Sequence, residues 1–129
     1  MELPVARGLF LCERIVVEEG TRYVTLVSIF DERTIADFPT DPIACAIYAS
    51  LVSGRGIIPM TLRVSRLDDM AEIYEKSFSL EFVDPMIEIR FMFQFQGLVF
   101  PTAGRYEYLL LADASPVAST VLNLFAEEE

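Results

Sequence analysis

Apolar and polar residues alternate with a period of two in several segments of the chain, which is the pattern of half-buried β-strands. The longest case is "IEIRFMFQFQ" (87–96), where Ile87 and every second residue after it as far as Phe95 are apolar. Most of the residues between them are polar. The segment "PMTLRVSR" (59–66) repeats the pattern. Each of these segments predicts a strand with one face on the core and the other in water.

A third alternating segment, "SFSLEF" (77–82), follows Ile73, which has the opposite parity. We therefore expect a β-bulge near Glu75 and Lys76, where the strand bends. One or two helical turns over "LDDMAEIYEKS" (67–77) are the alternative for this region. We favour the strand, and no segment predicts a helix of ordinary length.

The other predicted strands form two hairpins and a central strand. Gly20 lies in the turn "EEGT" between the strand segments "ERIVV" and "RYVTLVSIF", where it supplies the positive φ of a tight turn. The segment "IACAIYASL" (43–51) is apolar on both faces and therefore predicts a central strand. At the end of the chain, 105–112 and 117–125 predict a terminal hairpin.

Gly104 and Tyr106 open the penultimate strand in a Gly-x-Tyr pattern. This pattern looks like the tyrosine corner of immunoglobulin-like sandwiches, in which the phenol bonds back to nearby backbone. With about eight short strands separated by Gly and Pro turns, the chain predicts an all-β fold, an antiparallel two-sheet β-sandwich of immunoglobulin-like or C2-like type. A length of 129 residues fits one domain over 1–129, with an ordered core of about 9–125.

The opening segment, the apolar central strand and the terminal hairpin together resemble a family of short, uncharacterised bacterial proteins, a domain of unknown function. The resemblance covers roughly residues 9–125 and implies a compact β-sandwich with no established activity. Two positions depart from the family pattern: Glu13 stands where aspartate is commoner, and Ala114 stands where glycine would suit a two-residue turn. The positions that carry the opening motif are Leu11, Cys12, Glu13, Gly20, Ile29, Phe30, Asp31, Phe38 and Pro39.

Composition excludes several chemistries. The chain has no histidine, so Ser/His and Cys/His nucleophile systems are ruled out, as is the commonest transition-metal ligand. Cys12 and Cys45 are too few for a zinc site, and because they fall on different predicted strands they could face each other across the sandwich. We expect two buried thiols rather than a disulfide, and a protein that is not an enzyme.

A formal net charge of −10 repels phosphate backbones and anionic lipid surfaces, so we expect neither nucleic acid nor a membrane as partner. There is no apolar run of membrane-spanning length and no recognisable secretory signal, which makes the cytoplasm the expected location. Solubility is the favoured explanation of the acidic balance, and an acidic docking face is the alternative.

Acidic loops supply the first candidate site. In an antiparallel sandwich the loops after the second, fourth and sixth predicted strands share one end, where five aspartates would converge. Calcium takes six to eight oxygen ligands and is the cation that such loops could hold, so we expect no cofactor other than possible calcium. Solvated turn residues are the alternative interpretation. The five candidate residues are Asp31, Asp37, Asp41, Asp68 and Asp69.

An apolar surface supplies the second candidate site. Tyr23, Met92, Leu109 and Leu111 lie on strand faces that are otherwise polar, where apolar area usually marks an interface. Cover by long loops is the alternative. We expect a non-enzymatic β-sandwich module that acts through protein–protein contacts, including self-association as a homo-oligomer, with an unidentified protein partner. Binding of calcium or a small ligand at the acidic loop end is the alternative function.

Overall fold

Strands fill most of residues 2–128, the part of the chain that this computed structural model describes. Nine strands occur in that part: β1 (Val5–Val17), β2 (Val24–Ile29), β3 (Glu32–Ile35), β4 (Ile43–Val52), β5 (Gly56–Arg66), β6 (Glu72–Phe82), β7 (Ile89–Leu98), β8 (Gly104–Ala112) and β9 (Ser115–Ala126). They form a four-stranded sheet in the order β2-β1-β4-β7 and a five-stranded sheet in the order β3-β9-β8-β5-β6. The predicted all-β, two-sheet fold is confirmed, and β4 is central as expected.

The strand β3 was not predicted. It pairs with β9 in parallel, with Glu32 opposite Asn123 and Ile35 opposite Ala126, whereas every other strand pair is antiparallel. Its four residues are too few to show an alternating pattern, and its partner strand lies about ninety positions away in the sequence. The strand adds an edge to the five-stranded sheet and fixes the segment that follows it.

The sandwich core lies between the two sheets. Tyr106, Tyr108 and Leu110 of β8 point into it and are fully buried, as the terminal hairpin pattern predicted. On the side where β6 faces β7, aromatic rings close the core: Phe78 stacks on Phe91 with ring centroids 5.0 Å apart. Burial of such side chains is the main favourable contribution to folding, at roughly 25 cal/mol for each Å² of apolar surface removed from water.

The predicted β-bulge occurs two to three residues earlier than expected. The pairing of β5 with β6 shifts register between Val64 opposite Tyr74 and Ser65 opposite Glu72, which leaves Ile73 as the extra residue. Ile73 and Tyr74 are adjacent, yet both pack against the core. The bulge lets two consecutive apolar side chains face the same way, which regular alternation does not allow.

The hairpin formed by the second half of β1 and by β2 folds over the outer face of the four-stranded sheet; we call it the ribbon (residues 13–29). Arg90 of β7 donates a hydrogen bond from Nη1 to the backbone oxygen of Arg22 at the ribbon tip, over 3.0 Å. Strand β1 also contacts β7, although β4 lies between them in the sheet. Cys12 and Ala46 are fully buried beneath the start of the ribbon.

The two cysteines are free thiols, both buried, as expected. They do not face each other across the sandwich, because both belong to the four-stranded sheet. Cys12 is paired with Ala46 and points to the outer face, whereas Cys45, one residue earlier, points into the core.

Candidate functional site

Three loops meet at one end of the sandwich, as the strand directions require. Thr40 holds Phe100 by two hydrogen bonds, one from its own backbone N–H and one accepted by its Oγ1. The loop after β5 joins them, because Arg66 donates from Nη2 to the backbone oxygen of Ala103 over 3.1 Å. We call this the loop end of the molecule.

Two of the five candidate metal ligands are bound to an arginine at the loop end. Arg66 lies 3.3 Å from the Asp68 carboxylate and 3.5 Å from that of Asp69. A cation bound there would have to compete with a guanidinium that already pairs with both carboxylates.

The other three aspartates are divided between two clefts. Asp37 and Asp41 line an open cleft of about 400 Å³, together with Arg33 and Thr40. Asp31 lines a separate cleft of about 270 Å³ beside Phe30. The unpredicted strand β3 separates Asp31 from Asp37, because one precedes it and the other follows it.

The expected convergence of all five aspartates is therefore wrong. Within residues 2–128, no group of three or more histidine, cysteine, aspartate or glutamate side chains could hold a metal ion. The loops do meet, but Arg66 already engages Asp68 and Asp69, and strand β3 separates Asp31 from Asp37 and Asp41. What remains is a polar cleft with two carboxylates on its wall.

The tyrosine corner has the expected geometry. The Tyr106 hydroxyl donates to the backbone oxygen of Thr102, four residues earlier, over 2.6 Å. Gly104 has φ of +145°, and a Cβ at that position would lie 3.2 Å from the side chains of Arg66 and Asp68. Gly20, in the ribbon turn, has φ of +86°, as the hairpin prediction required. These residues hold the loop end and the ribbon in shape.

The four predicted interface residues lie on opposite faces of the molecule. Leu109 and Leu111 belong to the outer face of the five-stranded sheet, where Leu109 is half-buried and Leu111 is only 7% exposed. Leu111 is flanked by Thr61 on one side and Pro116 on the other, and is unavailable to a partner. Its assignment as an exposed interface residue is wrong.

The other two residues lie on the ribbon side. Tyr23, next to the ribbon tip, is 69% exposed, and Met92 on β7 is 37% exposed. Met92 lines a crevice of about 290 Å³ between ribbon and sheet, walled also by Ile15, Val17 and Ala46. We call the exposed apolar side chains of the ribbon, together with Met92 on the sheet beneath it, the ribbon face: Val16, Val17, Tyr23, Ile29 and Met92.

Sequence reasoning missed a group of strongly exposed apolar residues in one loop. Val83, Met86 and Ile87 lie in the loop between β6 and β7 and are 82%, 89% and 60% exposed. Ile87 was predicted to point inward at the start of a strand, but β7 begins at Ile89. The signal was the sequence "VDPMI", in which apolar residues flank an Asp-Pro turn.

The ionisable groups in the core are kept neutral. The thiol of Cys45 and the hydroxyl of Tyr108 lie 3.7 Å apart, with both residues fully buried. Burial raises the pKa of Cys45 to about 11 and that of Tyr108 well above its ordinary value, because the charged forms would lose their hydration. Burial also raises the pKa of Cys12. Such thiols pack as small apolar side chains rather than act as nucleophiles.

Comparison with known proteins places the chain in a family. No curated protein matches it in sequence. Among solved structures, it is similar to the CARDB domain of the PF1109 protein from Pyrococcus furiosus, solved in complex with di-metal ions, at 13% identity and a TM-score of 0.45, with 98% of each chain covered. The described residues contain no helix long and apolar enough to cross a membrane. The model of a family of unknown function, DUF6941, matches residues 7–125, and the chain therefore belongs to that family.

Proposed function

We propose that this protein is a non-enzymatic β-sandwich module that acts through protein–protein contacts and associates with a second copy of itself through the ribbon face. The observation that carries the proposal is the open apolar crevice between ribbon and sheet, with Val17 and Met92 at its mouth, 42% and 37% exposed. Contiguous apolar surface on a folded domain usually marks an interaction site. Tyr23 adds an aromatic side chain of the kind that interfaces favour.

The charges around the ribbon face fit a second copy. The chain carries a formal net charge of −10, so two copies repel each other over most approaches. The ribbon carries both signs on exposed residues, with Glu18 and Glu19 at the tip and Arg14 and Arg22 beside them. In a two-fold symmetric dimer the same patch meets itself, so arginines of one copy can lie against glutamates of the other.

Catalysis has little support in the residues that line the clefts. General acid–base chemistry needs a positioned group whose pKa lies near the working pH. The buried Cys45 and Tyr108 have pKa values raised away from neutrality, and neither lines the clefts at the loop end or beneath the ribbon. The exposed apolar side chains of the described residues instead support a binding role.

Light scattering on a sizing column, at several protein concentrations, tests the proposal. We expect the mass of a dimer for the native chain. Tyr23→Glu and Met92→Glu, which place charge on the ribbon face, should each shift the protein to a monomer. Val83→Glu, a matched change of an exposed apolar residue in the loop between β6 and β7, should leave the dimer intact. A monomer at every concentration, or a dimer broken only by Val83→Glu, would overturn self-association through this face.

A cation or small polar ligand in the loop-end cleft is the second candidate. It is supported by Asp37 and Asp41, which line one cleft of about 400 Å³ with Thr40. Arg33 in the same wall favours a ligand that also carries an acceptor. Thermal unfolding with and without millimolar calcium chloride tests the cation, because a ligand bound only by the folded state raises the melting temperature. An unchanged melting temperature, or a rise retained in the Asp37→Asn, Asp41→Asn double variant, would exclude calcium at this cleft.

A further inference from the structure

A second apolar surface lies at the end of the sandwich opposite the loop end, where β4 and β6 finish and β7 begins. Three segments meet there: the first residues of the described chain, the turn between β4 and β5, and the loop between β6 and β7. Glu2 and Arg55 form a two-way backbone bridge, and the backbone oxygen of Pro85 accepts a hydrogen bond from the Ser53 N–H over 3.1 Å. Backbone hydrogen bonds therefore hold the three segments together at this end of the sandwich.

Six apolar side chains project from this surface into solvent; we call them the end patch. Their exposure runs from 39% for Leu3 to 89% for Met86. Apolar surface that stays in water adds nothing to the stability of the fold, and a group of exposed apolar side chains at one end of a domain usually marks a docking site. The six are Leu3, Val5, Ile57, Val83, Met86 and Ile87.

The loop that carries three of these residues is held in place. The Asp84 side chain accepts a hydrogen bond from the Met86 N–H over 2.9 Å, and its backbone oxygen accepts one from the Ile87 N–H over 3.0 Å. With Pro85 tied to Ser53, the loop presents its apolar side chains outward in a fixed arrangement. A preorganised loop loses less conformational entropy on binding than a mobile one.

The charges around the end patch define what it can bind. Among exposed charged residues in and beside the three segments, Glu2, Glu81, Asp84 and Glu88 are acidic, and Arg7 and Arg55 are basic, so acidic groups predominate. Two copies of the patch would bring like charges together, and an anionic lipid surface would be repelled. We call the four acidic residues the acidic rim. A partner with lysine or arginine beside apolar side chains could pack on the apolar centre and pair with the acidic rim.

We propose that the end patch docks a basic amphipathic segment of a different protein, with apolar side chains on Val83, Met86 and Ile87 and cationic groups against the acidic rim. This goes beyond self-association, because it uses another surface and another class of partner.

Binding of a fluorescent peptide with repeated Leu-Lys-Lys-Leu units, followed by anisotropy, tests the proposal. The control peptide has serine in place of leucine. We expect the Met86→Ser, Ile87→Ser double variant to bind the peptide roughly tenfold more weakly, as loss of central apolar anchors does at interfaces. The matched control is the Val16→Ser, Tyr23→Ser double variant on the ribbon face, which should bind as tightly as the native protein. Glu81→Gln with Glu88→Gln should weaken binding and flatten its salt dependence.

Three results would overturn the proposal: no peptide binding, equal binding of the serine control peptide, or unchanged binding by the Met86→Ser, Ile87→Ser variant. Sedimentation with phosphatidylserine vesicles adds a fourth, since binding to them through the same residues would identify a lipid surface instead. Light scattering on both double variants separates this proposal from self-association. The Met86→Ser, Ile87→Ser variant should keep the native mass even where it loses the peptide.

Discussion

At the scale of single residues, the turn between β8 and β9 carries strain that a substitution can relieve. Asp113 and Ala114 form a two-residue turn, with φ of +48° and +65°. Both values lie in the left-handed region, which costs a residue with a Cβ roughly 1 kcal/mol relative to glycine. Ala114→Gly should therefore raise the free energy of unfolding by about 1 kcal/mol, measured by urea denaturation. Ala118→Gly, within β9, is the control and should lower it. A loss of stability in Ala114→Gly would contradict the turn geometry.

The Tyr106 hydroxyl, which forms the tyrosine corner, makes a measurable contribution to stability. Tyr106→Phe removes the hydroxyl that donates to Thr102 and leaves the ring buried against Phe100. We expect a loss of about 1 kcal/mol in the free energy of unfolding, the usual net value of one such hydrogen bond. Tyr23→Phe removes a hydroxyl from a side chain that is 69% exposed, and it should leave stability unchanged. Equal effects from the two substitutions would show that the corner bond contributes nothing.

Residues whose local backbone decides their role could be identified from sequence, and residues whose neighbours decide it could not. Tyr106 lies two residues after Gly104 at the start of a strand, and Ala114 lies where a tight turn favours glycine. The sequence therefore predicts the role of both positions. Alternation along β8 predicts that Leu111 is exposed. Its cross-strand neighbours Thr61 and Pro116 cover it, and the sequence pattern of β8 alone does not identify them. Arg66 lies two residues before Asp68 in the sequence and speaks against a metal site there, but only the structure shows that its guanidinium folds back onto the carboxylate.

At the scale of elements, pairing partners explain what the pattern captured and what it missed. The long strands β5, β7 and β8 are half-buried over many residues, and their alternation alone predicts them. Strand β3 has four residues and depends on a parallel partner, β9, for its existence. The fold of the ribbon across the outer face of β4 and β7 also leaves no mark on alternation, because its strands keep the same period whether straight or bent.

Arg66, at the end of β5, contacts two loops, and its replacement should lower the stability of the loop end. Its guanidinium binds Asp68, Asp69 and the Ala103 carbonyl, with the side chain only 22% exposed. Arg66→Met should lower the free energy of unfolding by roughly 1–2 kcal/mol, because a hydrogen-bonded, partly buried cation contributes more than a solvated one. Amide hydrogen exchange should rise in residues 99–103.

A matched arginine on the same strand supplies the control. Arg63 also contacts two carboxylates, Glu72 and Glu75, but its pairs lie at 3.7 and 3.4 Å on the exposed face of the sheet. Arg63→Met should change stability by less than about 0.5 kcal/mol, since exposed ion pairs are screened by water. If both substitutions lower the free energy of unfolding equally, the Arg66 contacts at the loop end would contribute no more than an exposed ion pair.

At the scale of the whole molecule, the two candidate docking surfaces are set apart by charge. The ribbon tip carries glutamates and arginines together, whereas the end patch has an acidic rim. One overall net charge of −10 gives no hint of that division, because it depends on which loops the strands bring together. Sequence composition thus predicted that nucleic acid is a poor partner, but only the fold shows where copies could approach and where a basic segment could.

The buried core as a whole predicts loss of stability in alkaline solution. Cys45 has a folded-state pKa of about 11 against an ordinary value of 9.0, so the unfolded thiol releases its proton before the folded one does. Stability from this group is complete below pH 9 and falls as the pH rises towards 11, by roughly 3 kcal/mol for a shift of about two units. Tyr108, whose pKa is raised above an ordinary value of 10.0, adds to the loss from about pH 10 upward. Urea denaturation at pH 7, 9, 10 and 11 measures it. Cys45→Ala should be less stable at neutral pH, because it leaves a cavity, and should lose less on going from pH 9 to 10. A native stability that stays flat to pH 11 would contradict the burial of both groups.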